Sequence, residues 1–279
     1  MVLISVVIPT YNRSTLVERA ILSVDKQTYP NIELIIVDDG STDDTKVRVA
    51  ELAGQVKVPL RYIYQENRGA ASARNTGIRA AGSDTICFLD SDDRFLPDKV
   101  SIQAKSLLES GKHISHTREV WYRRGQHLNQ KRKHYPPEGL IFQKCLRMCV
   151  VGMSTVMIRR ELFDRYGWFD EKLPCCEDFD FWLRLSIQES FHLVNVPLTI
   201  KDGGREDQLS VTYRMGMDRY RIMSIVNLLE SGRLSPEQSV SAVEELGRKC
   251  HIYGNGCLKH GKTVEGNYYL KIPDRFVAG

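Results

Sequence analysis

The 279-residue sequence contains no run of about 18 apolar residues, so no segment is expected to cross a bilayer as a helix. A basic leader is also missing. The chain passes straight into Leu3-Ile4-Ser5-Val6-Val7-Ile8-Pro9, which reads as a first strand rather than a signal peptide. The seven cysteines form no C-x-x-C pair, and their number is odd and their spacing irregular. A zinc site or disulfide framework is therefore not indicated, and free thiols in a reducing, cytoplasmic setting are expected. The net charge of +4 is too small to argue for nucleic acid. No G-x-G-x-x-G follows the first strand, which disfavours a dinucleotide oxidoreductase.

What is present is a segment that changes character abruptly. Thr85-Ile86-Cys87-Phe88-Leu89 is long enough for a buried strand and runs into Asp90-Ser91-Asp92-Asp93, three carboxylates within four residues. Strand interiors avoid Asp, so the acids belong just past the strand's carboxyl end. Like charges this close repel unless a cation or donors hold them. Hard Mg²⁺ or Mn²⁺ suits carboxylate oxygens and completes its shell with water and phosphate. The competing reading is a solvated, Asp-rich turn.

The first hundred residues alternate strand and helix patterns. Strands are expected over residues 3–8, 32–37, 60–64 and 85–89, and helices over 14–27, from Asp43 or Asp44 to 53, over 69–81, and from Pro97 to 108. Repeated β-α-β units imply a parallel sheet with helices on both faces, and ligands then bind beyond the strands' carboxyl ends. Three of the four strands end in polar clusters: Thr10-Tyr11-Asn12, Asp38-Asp39 and Asp90-Ser91-Asp92. Further strands are expected over 116–124, 153–158 and 193–196, a polar basic loop over 126–134, and a helix over 177–188 with Phe179, Trp182, Leu183 and Ser186 on one stripe. Asp180 and Arg184, spaced i, i+4, read as a surface pair. Helices over 213–229, 236–258 and 264–270 end the pattern.

With these elements in order, a family resemblance emerges. Val6-Val7-Ile8-Pro9-Thr10-Tyr11-Asn12-Arg13, Val37-Asp38-Asp39-Gly40-Ser41, Asn67-Arg68-Gly69 with Ala73-Arg74-Asn75, and Asp90-Ser91-Asp92 resemble the family 2 glycosyltransferases of GT-A fold. The likeness continues more loosely through Gly167-Trp168-Phe169-Asp170 and Glu177-Asp178-Phe179-Asp180. It implies an α/β fold, a mostly parallel GT-A-type sheet flanked by helices with a C-terminal helical extension. Residues 1–212 would be the catalytic domain, with a nucleotide-binding half (1–111) and an acceptor-binding half (112–212), followed by the extension (213–279).

The resemblance also implies roles. Asp39 would accept a hydrogen bond from the base of a nucleotide-diphospho-sugar. An imide N–H suits a carboxylate, which gives UDP or dTDP a slight preference. Asp38 and Asp43 read more readily as turn acids. Pro9, Thr10, Tyr11, Asn12 and Ser91 would line the nucleotide site. Asp92 would ligate Mn²⁺ or Mg²⁺, Asp90 would meet the ribose or the metal through water, and Arg74 would steady Asp90 or a phosphate. Asp93 would cap the segment before Pro97. Asp178 would be the general base near a helix N-terminus, with Glu177 orienting base or acceptor. Trp168 would wall a sugar ring or pack in the core. Arg205, in Asp202-Gly203-Gly204-Arg205, would close over the diphosphate.

The activity so implied is inverting transfer of a sugar to an acceptor hydroxyl of a sugar or glycolipid, in cell-surface polysaccharide or glycoconjugate synthesis. The setting is the cytoplasm, with room for peripheral contact at the inner membrane face through Lys131-Arg132-Lys133-His134, and for a homodimer surface on the last helices. Two alternatives stand beside it: transfer to polyprenyl phosphate, and a non-catalytic nucleotide-sugar-binding module. A nucleotidylyltransferase would carry a Gly-rich basic loop where this chain has Pro-Thr-Tyr-Asn.

Overall fold

The structure, a computed structural model, describes residues 1–277. Strands β1 (Ile4–Thr10), β2 (Ile32–Asp38), β3 (Leu60–Tyr64) and β4 (Thr85–Phe88) alternate with helices α1 (Ser14–Asp25), α2 (Thr45–Ala53) and α3 (Ala70–Ala80). Then come β5 (Arg94–Phe95), α4 (Lys99–Ser110), β6 (Ile114–Arg123), β7 (Gln126–Leu128), α5 (Phe142–Arg147), β8 (Met157–Arg159), α6 (Glu161–Tyr166), α7 (Glu177–Leu185) and β9 (His192–Gly203). Helices α8 (Leu209–Thr212), α9 (Met217–Glu230), α10 (Pro236–Lys259), α11 (Thr263–Lys271) and α12 (Asp274–Val277) complete the described chain.

One sheet runs β3-β2-β1-β4-β8-β6-β9-β5, with β7 paired to β6 beside it. The first four strands are parallel, as helical crossovers require. By residue pairing the sheet is mostly parallel, as expected, and beyond β4 it becomes mixed. There β6–β9 is the parallel pair, whereas β4–β8, β6–β8, β5–β9 and β6–β7 are antiparallel. The cause is local: β5 is a two-residue strand formed just after the acidic turn, and β7 returns from β6 through a tight hairpin.

Register carries the polar strand ends to one edge. Thr10 pairs with Asp38 at the ends of β1 and β2, and Val7 pairs with Phe88, so Asp90–Asp93 leave the sheet beside Thr10–Arg13. The sheet is covered on both sides. Val6, Ile8, Leu34 and Ile36 pack with α1 and α2 residues such as Val17, Ile21 and Val49. Val7, Ile35, Val37 and Phe88 pack toward α3 and α7. Helix α3 lies very close on β1: a Cβ at Gly77 would sit 2.2 Å from Val7 Cγ1. That approach fixes the depth at which Arg74, one turn earlier, enters the edge.

The later elements also differ from the sequence reading. Residues 153–158 form a short 3-10 turn (Met153–Thr155) before β8 rather than one strand. The strand expected over 193–196 runs twelve residues, Ile200 to Gly203 included, and its register to β6 shifts around Thr117–Glu119. Asp180 and Arg184 pair at 2.9 Å, but Asp180 is buried and Arg184 also donates to the carbonyls of Tyr166, Gly167 and Trp168. The pair ties α7 to the 166–168 turn instead of decorating the surface.

The terminal helices share the core. Ile222, Ile225 and Leu228 of α9 and Ala242, Leu246 and Cys250 of α10 join the same cluster as Phe179 and Trp182 of α7. Helix α10 begins at a capping box in which Ser235 Oγ accepts from Gln238 N and Gln238 Oε1 accepts from Ser235 N. No helix among the described residues is long and apolar enough to cross a membrane.

His116 of β6 is fully buried, its Nε2 2.7 Å from the Pro137 carbonyl, and burial pushes its pKa down to about 4. The unfolded chain binds a proton near pH 6.5 that the folded chain refuses, so stability falls as pH drops from 6.5 towards 4. The expected loss is up to about 3 kcal/mol, read by urea unfolding across that range, and His116→Gln should flatten the profile.

Candidate active site

The edge is organised by three loops that bind one another. Asn12, at φ +49°, offers Oδ1 to Thr42 N at 2.7 Å and takes Ser41 Oγ on its own N–H at 2.8 Å. The β1–α1 and β2–α2 loops are thereby joined. Asp38 is buried and accepts from Ser41 N and the Tyr62 hydroxyl, and Asp43 accepts from Thr45 and Ser14 amides. Both are turn acids, in line with the sequence reading.

Asp39 differs in kind. Its Oδ1 accepts from Gln65 Nε2 (2.6 Å) and Arg68 N (3.0 Å), and its Oδ2 from Gly69 N (2.7 Å). It therefore fixes the entry to α3, where Gly69 adopts φ +88°. A carboxylate has about four acceptor positions, so Oδ2 keeps capacity for another donor. Tyr11 beside it is half exposed at 47%. Pro9, Thr10 and Ser91 are buried, so their side chains frame the edge rather than reach into it. Thr10 Oγ1 is enclosed without a hydrogen-bond partner.

Arg74 crosses from α3 to both acidic segments. Its Nη2 donates to Asp90 Oδ1 at 2.8 Å, and its Nη1 donates to Glu177 Oε1. Burial disfavours its charge, yet Asp90 and Glu177 outweigh that and raise its pKa. Burial likewise pushes Glu177 upward, against the pull of Arg74. Glu177 is thus spent on Arg74 beneath the surface, and Asp178 is the half-exposed acid of the pair. Asp178 Oδ1 accepts from Phe179 N at 2.6 Å, and Oδ2 lies 3.3 Å from Cys149 Sγ. Burial and the Asp178 charge push the Cys149 thiol well up, so it remains a donor.

Ligand oxygens of Asp90, Asp92 and Asp93 lie within 4.8 Å of one another. Asp92 Oδ2 accepts from Arg205 Nη2 and Gln208 Nε2 (3.0 Å) and lies 3.6 Å from Arg13 Nη1. Burial opposes its charge, but Arg13, Gln208 and Arg205 hold its pKa below the ordinary value. Asp93 does not cap the segment before Pro97. It turns inward, accepting from Ser154 Oγ (2.6 Å) and Asp202 N (3.2 Å), and burial beside Asp92 drives its pKa well up. A cation would thus find Asp90 and Asp92 as its donors, with Asp93 turned inward behind them. Hard carboxylate oxygens converging in this way fit Mg²⁺ or Mn²⁺.

Trp168 takes the core-packing alternative, whereas Arg205 lies at the acid cluster. Trp168 packs on Phe163 with ring centroids 6.0 Å apart and carries the Arg79 guanidinium 5.1 Å over its ring, a core-edge position. Arg205 is bound to Asp92 and Asp207, with Nη1 on the Asp202 carbonyl. Sequence reasoning passed over Gln208, Ser154 and Cys149, none of which carries a motif. It also passed over Lys201, a half-buried lysine of β9 whose pKa is raised by Glu119 and Asp93.

Comparisons with known proteins bear on the fold and the family. The model of Glycosyl transferase family 2 matches residues 5–167. The Escherichia coli protein UDP-Glc:alpha-D-GlcNAc-diphosphoundecaprenol beta-1,3-glucosyltransferase WfgD is 32% identical over 197 residues, which span 69% of this chain and 73% of that protein. The chain spans only 31% of the length of a Rickettsia felis glycosyltransferase that it matches at 37% identity. Staphylococcus aureus TarS in complex with UDP-GlcNAc superposes with a TM-score of 0.75 at 19% identity, covering 97% of this chain and 79% of that one. The mannosyltransferase PcManGT of Pyrobaculum calidifontis, in complex with GDP-Man and Mn²⁺, gives 0.64 at 16% identity over 99% and 85%. At these identities the two structures establish the fold, which is GT-A. The extent of the family match, together with the aligned relative from E. coli, places this chain in Glycosyl transferase family 2.

Proposed function

We propose that the protein transfers a sugar from a nucleotide-diphospho-sugar to an acceptor hydroxyl with inversion at the anomeric carbon, in the synthesis of a cell-surface polysaccharide or glycoconjugate. The observation that carries this reading is the Arg74 bridge. It brings the acids of the β4 turn and the α7 N-terminus onto one buried guanidinium, so a donor held at Asp90–Asp92 faces the carboxylate of Asp178. A uridine nucleotide is preferred, since the E. coli relative is named for UDP-Glc and the TarS structure holds UDP-GlcNAc.

In this reading, Asp39 Oδ2 accepts from the nucleobase and Tyr11 lies along the nucleoside. Asp92 and Asp90 are the residues that hold Mn²⁺ or Mg²⁺, and that ion supplies charge neutralisation at the diphosphate oxygens. Arg205 and Arg13, already on Asp92, are placed to meet the same phosphates. Asp178 takes the proton of the acceptor hydroxyl as its oxygen attacks opposite the leaving diphosphate. Glu177 keeps Arg74 charged and the start of α7 in place. Residues 1–212 supply all these groups, and 213–279 act as a helical support.

Three outcomes are expected. Asp92→Asn should abolish the Mn²⁺-dependent part of UDP binding in calorimetry, and retained metal dependence would remove Asp92 from the metal site. Asp178→Asn should bind UDP as before while transfer falls by about 10²–10⁴-fold in a sugar-release assay, the usual worth of a general base. Arg74→Met leaves Glu177 buried without its partner and should cost about 3–5 kcal/mol in urea unfolding. Adding Glu177→Gln should recover part of that loss, and simple additivity of the two changes would contradict the coupling.

A further inference from the structure

We propose that a second phosphate site lies outside the acid cluster, in the cleft between α1, β5, the β6–β7 turn and the end of β9, and that it takes a molecule bearing a phosphate or diphosphate group. The cleft has a volume of about 490 Å³, and Arg19, Arg94, Arg124 and Arg205 line it together with Asp202. Arg205 is committed to Asp92 and Asp207. The other three guanidinium groups face one lining carboxylate, an excess of two positive charges.

The hydrogen bonding is as unbalanced as the charge. Arg19 Nη2 and Arg94 Nη2 share a single oxygen, Asp202 Oδ2, the second at 3.4 Å. Arg94 Nε is buried with no partner. Among the described residues the Arg124 guanidinium bonds only the Gly204 carbonyl, at 3.5 Å. Its backbone adds an independent observation. Arg124 and Gly125 are the two central residues of the β6–β7 hairpin, and Arg124 adopts φ +51°. Such positions favour Gly, Asn or Asp, so a β-carbon bearing a long cation is held there against local preference. Guanidinium forks match phosphate oxygens two at a time, and crowded like charges are relieved when an anion enters among them.

The cleft adjoins the acid cluster without being part of it. Asp202 faces the cleft while its backbone N–H bonds Asp93 Oδ1, and Arg205 lines the cleft while its tip reaches Asp92. An anion here and a cation at Asp92 would occupy opposite sides of one short segment, residues 202–208. The site follows from the arginines alone and does not require that the chain transfer a sugar.

Calorimetric titration with inorganic pyrophosphate in EDTA tests the site, because the acid cluster then has no metal through which to recruit the anion. Arg94→Gln with Arg124→Asn, the second chosen because Asn tolerates the positive φ, should weaken binding by about 10-fold to 100-fold. Arg94→Lys, which keeps the charge and loses the fork, should fall between. Thermal melting checks the fold of each variant, and Arg124→Asn alone, on an exposed turn, should still weaken binding should the double variant not fold. Geranyl diphosphate binding more tightly than pyrophosphate would assign the site to a lipid-linked diphosphate, and equal binding to a free phosphate group. Equal pyrophosphate affinity in wild type and double variant, or no binding by the wild type, overturns the proposal.

Discussion

A buried guanidinium between two carboxylates is the interaction on which the site depends. Arg74 is paid for by Asp90 and Glu177 together, since an unpaired charge at that depth would be strongly destabilising. Its place follows from backbone geometry. Gly77 lets α3 press onto β1, Gly69 turns the chain into the helix, and Asp39 anchors that turn through two backbone amides. The acid expected to read a nucleobase is therefore also the acid that positions the helix bearing Arg74. Asp39 and the acids of the β4 turn and α7 are joined through one helix rather than through a string of loops.

Opposing charges are layered behind this edge. Asp92 is held ionised by Arg13 and Arg205, while Asp93, one residue on, is driven toward its neutral form. Lys201 of β9 is raised in pKa by the surrounding acids. The alternation of sign lets three aspartates share a small volume without a net burst of repulsion. It also separates their chemistry: Asp92 is held by Arg205 and Gln208, and its neighbour serves the Ser154 hydroxyl and the β9 backbone.

Much of this was readable from the chain. Polar clusters following short apolar runs marked β1, β2 and β4, and period-2 against 3.6 patterning separated strands from helices in the first hundred residues. The later half was less legible because its elements are short or depend on distant partners. Strand β5 is two residues long, and α5 and α6 are six each, too short for a period to register. The full length of β9 is set by pairing with β6, a partner about eighty residues earlier, and no local signal announces it. In α7 the apolar stripe was visible, but Phe181 and Leu185 are buried too. Phe181, off that stripe, packs on Phe163 of α6 and on Phe169, while α9 covers α7 on the side of Phe179. Gln208 and Cys149 carried no sequence signal, since each acts through a single contact that only folding creates.

That covering helix has a further meaning. Arg221 of α9 and Lys249 of α10 both stand 5.9 Å from the Phe179 ring, one residue from Asp178, and Gln238 grips the Ile187 carbonyl just beyond α7. The last quarter of the polypeptide is in effect the mould in which the turn bearing Asp178 is cast. Residues more than forty positions downstream can therefore shift the setting of Asp178 through packing alone.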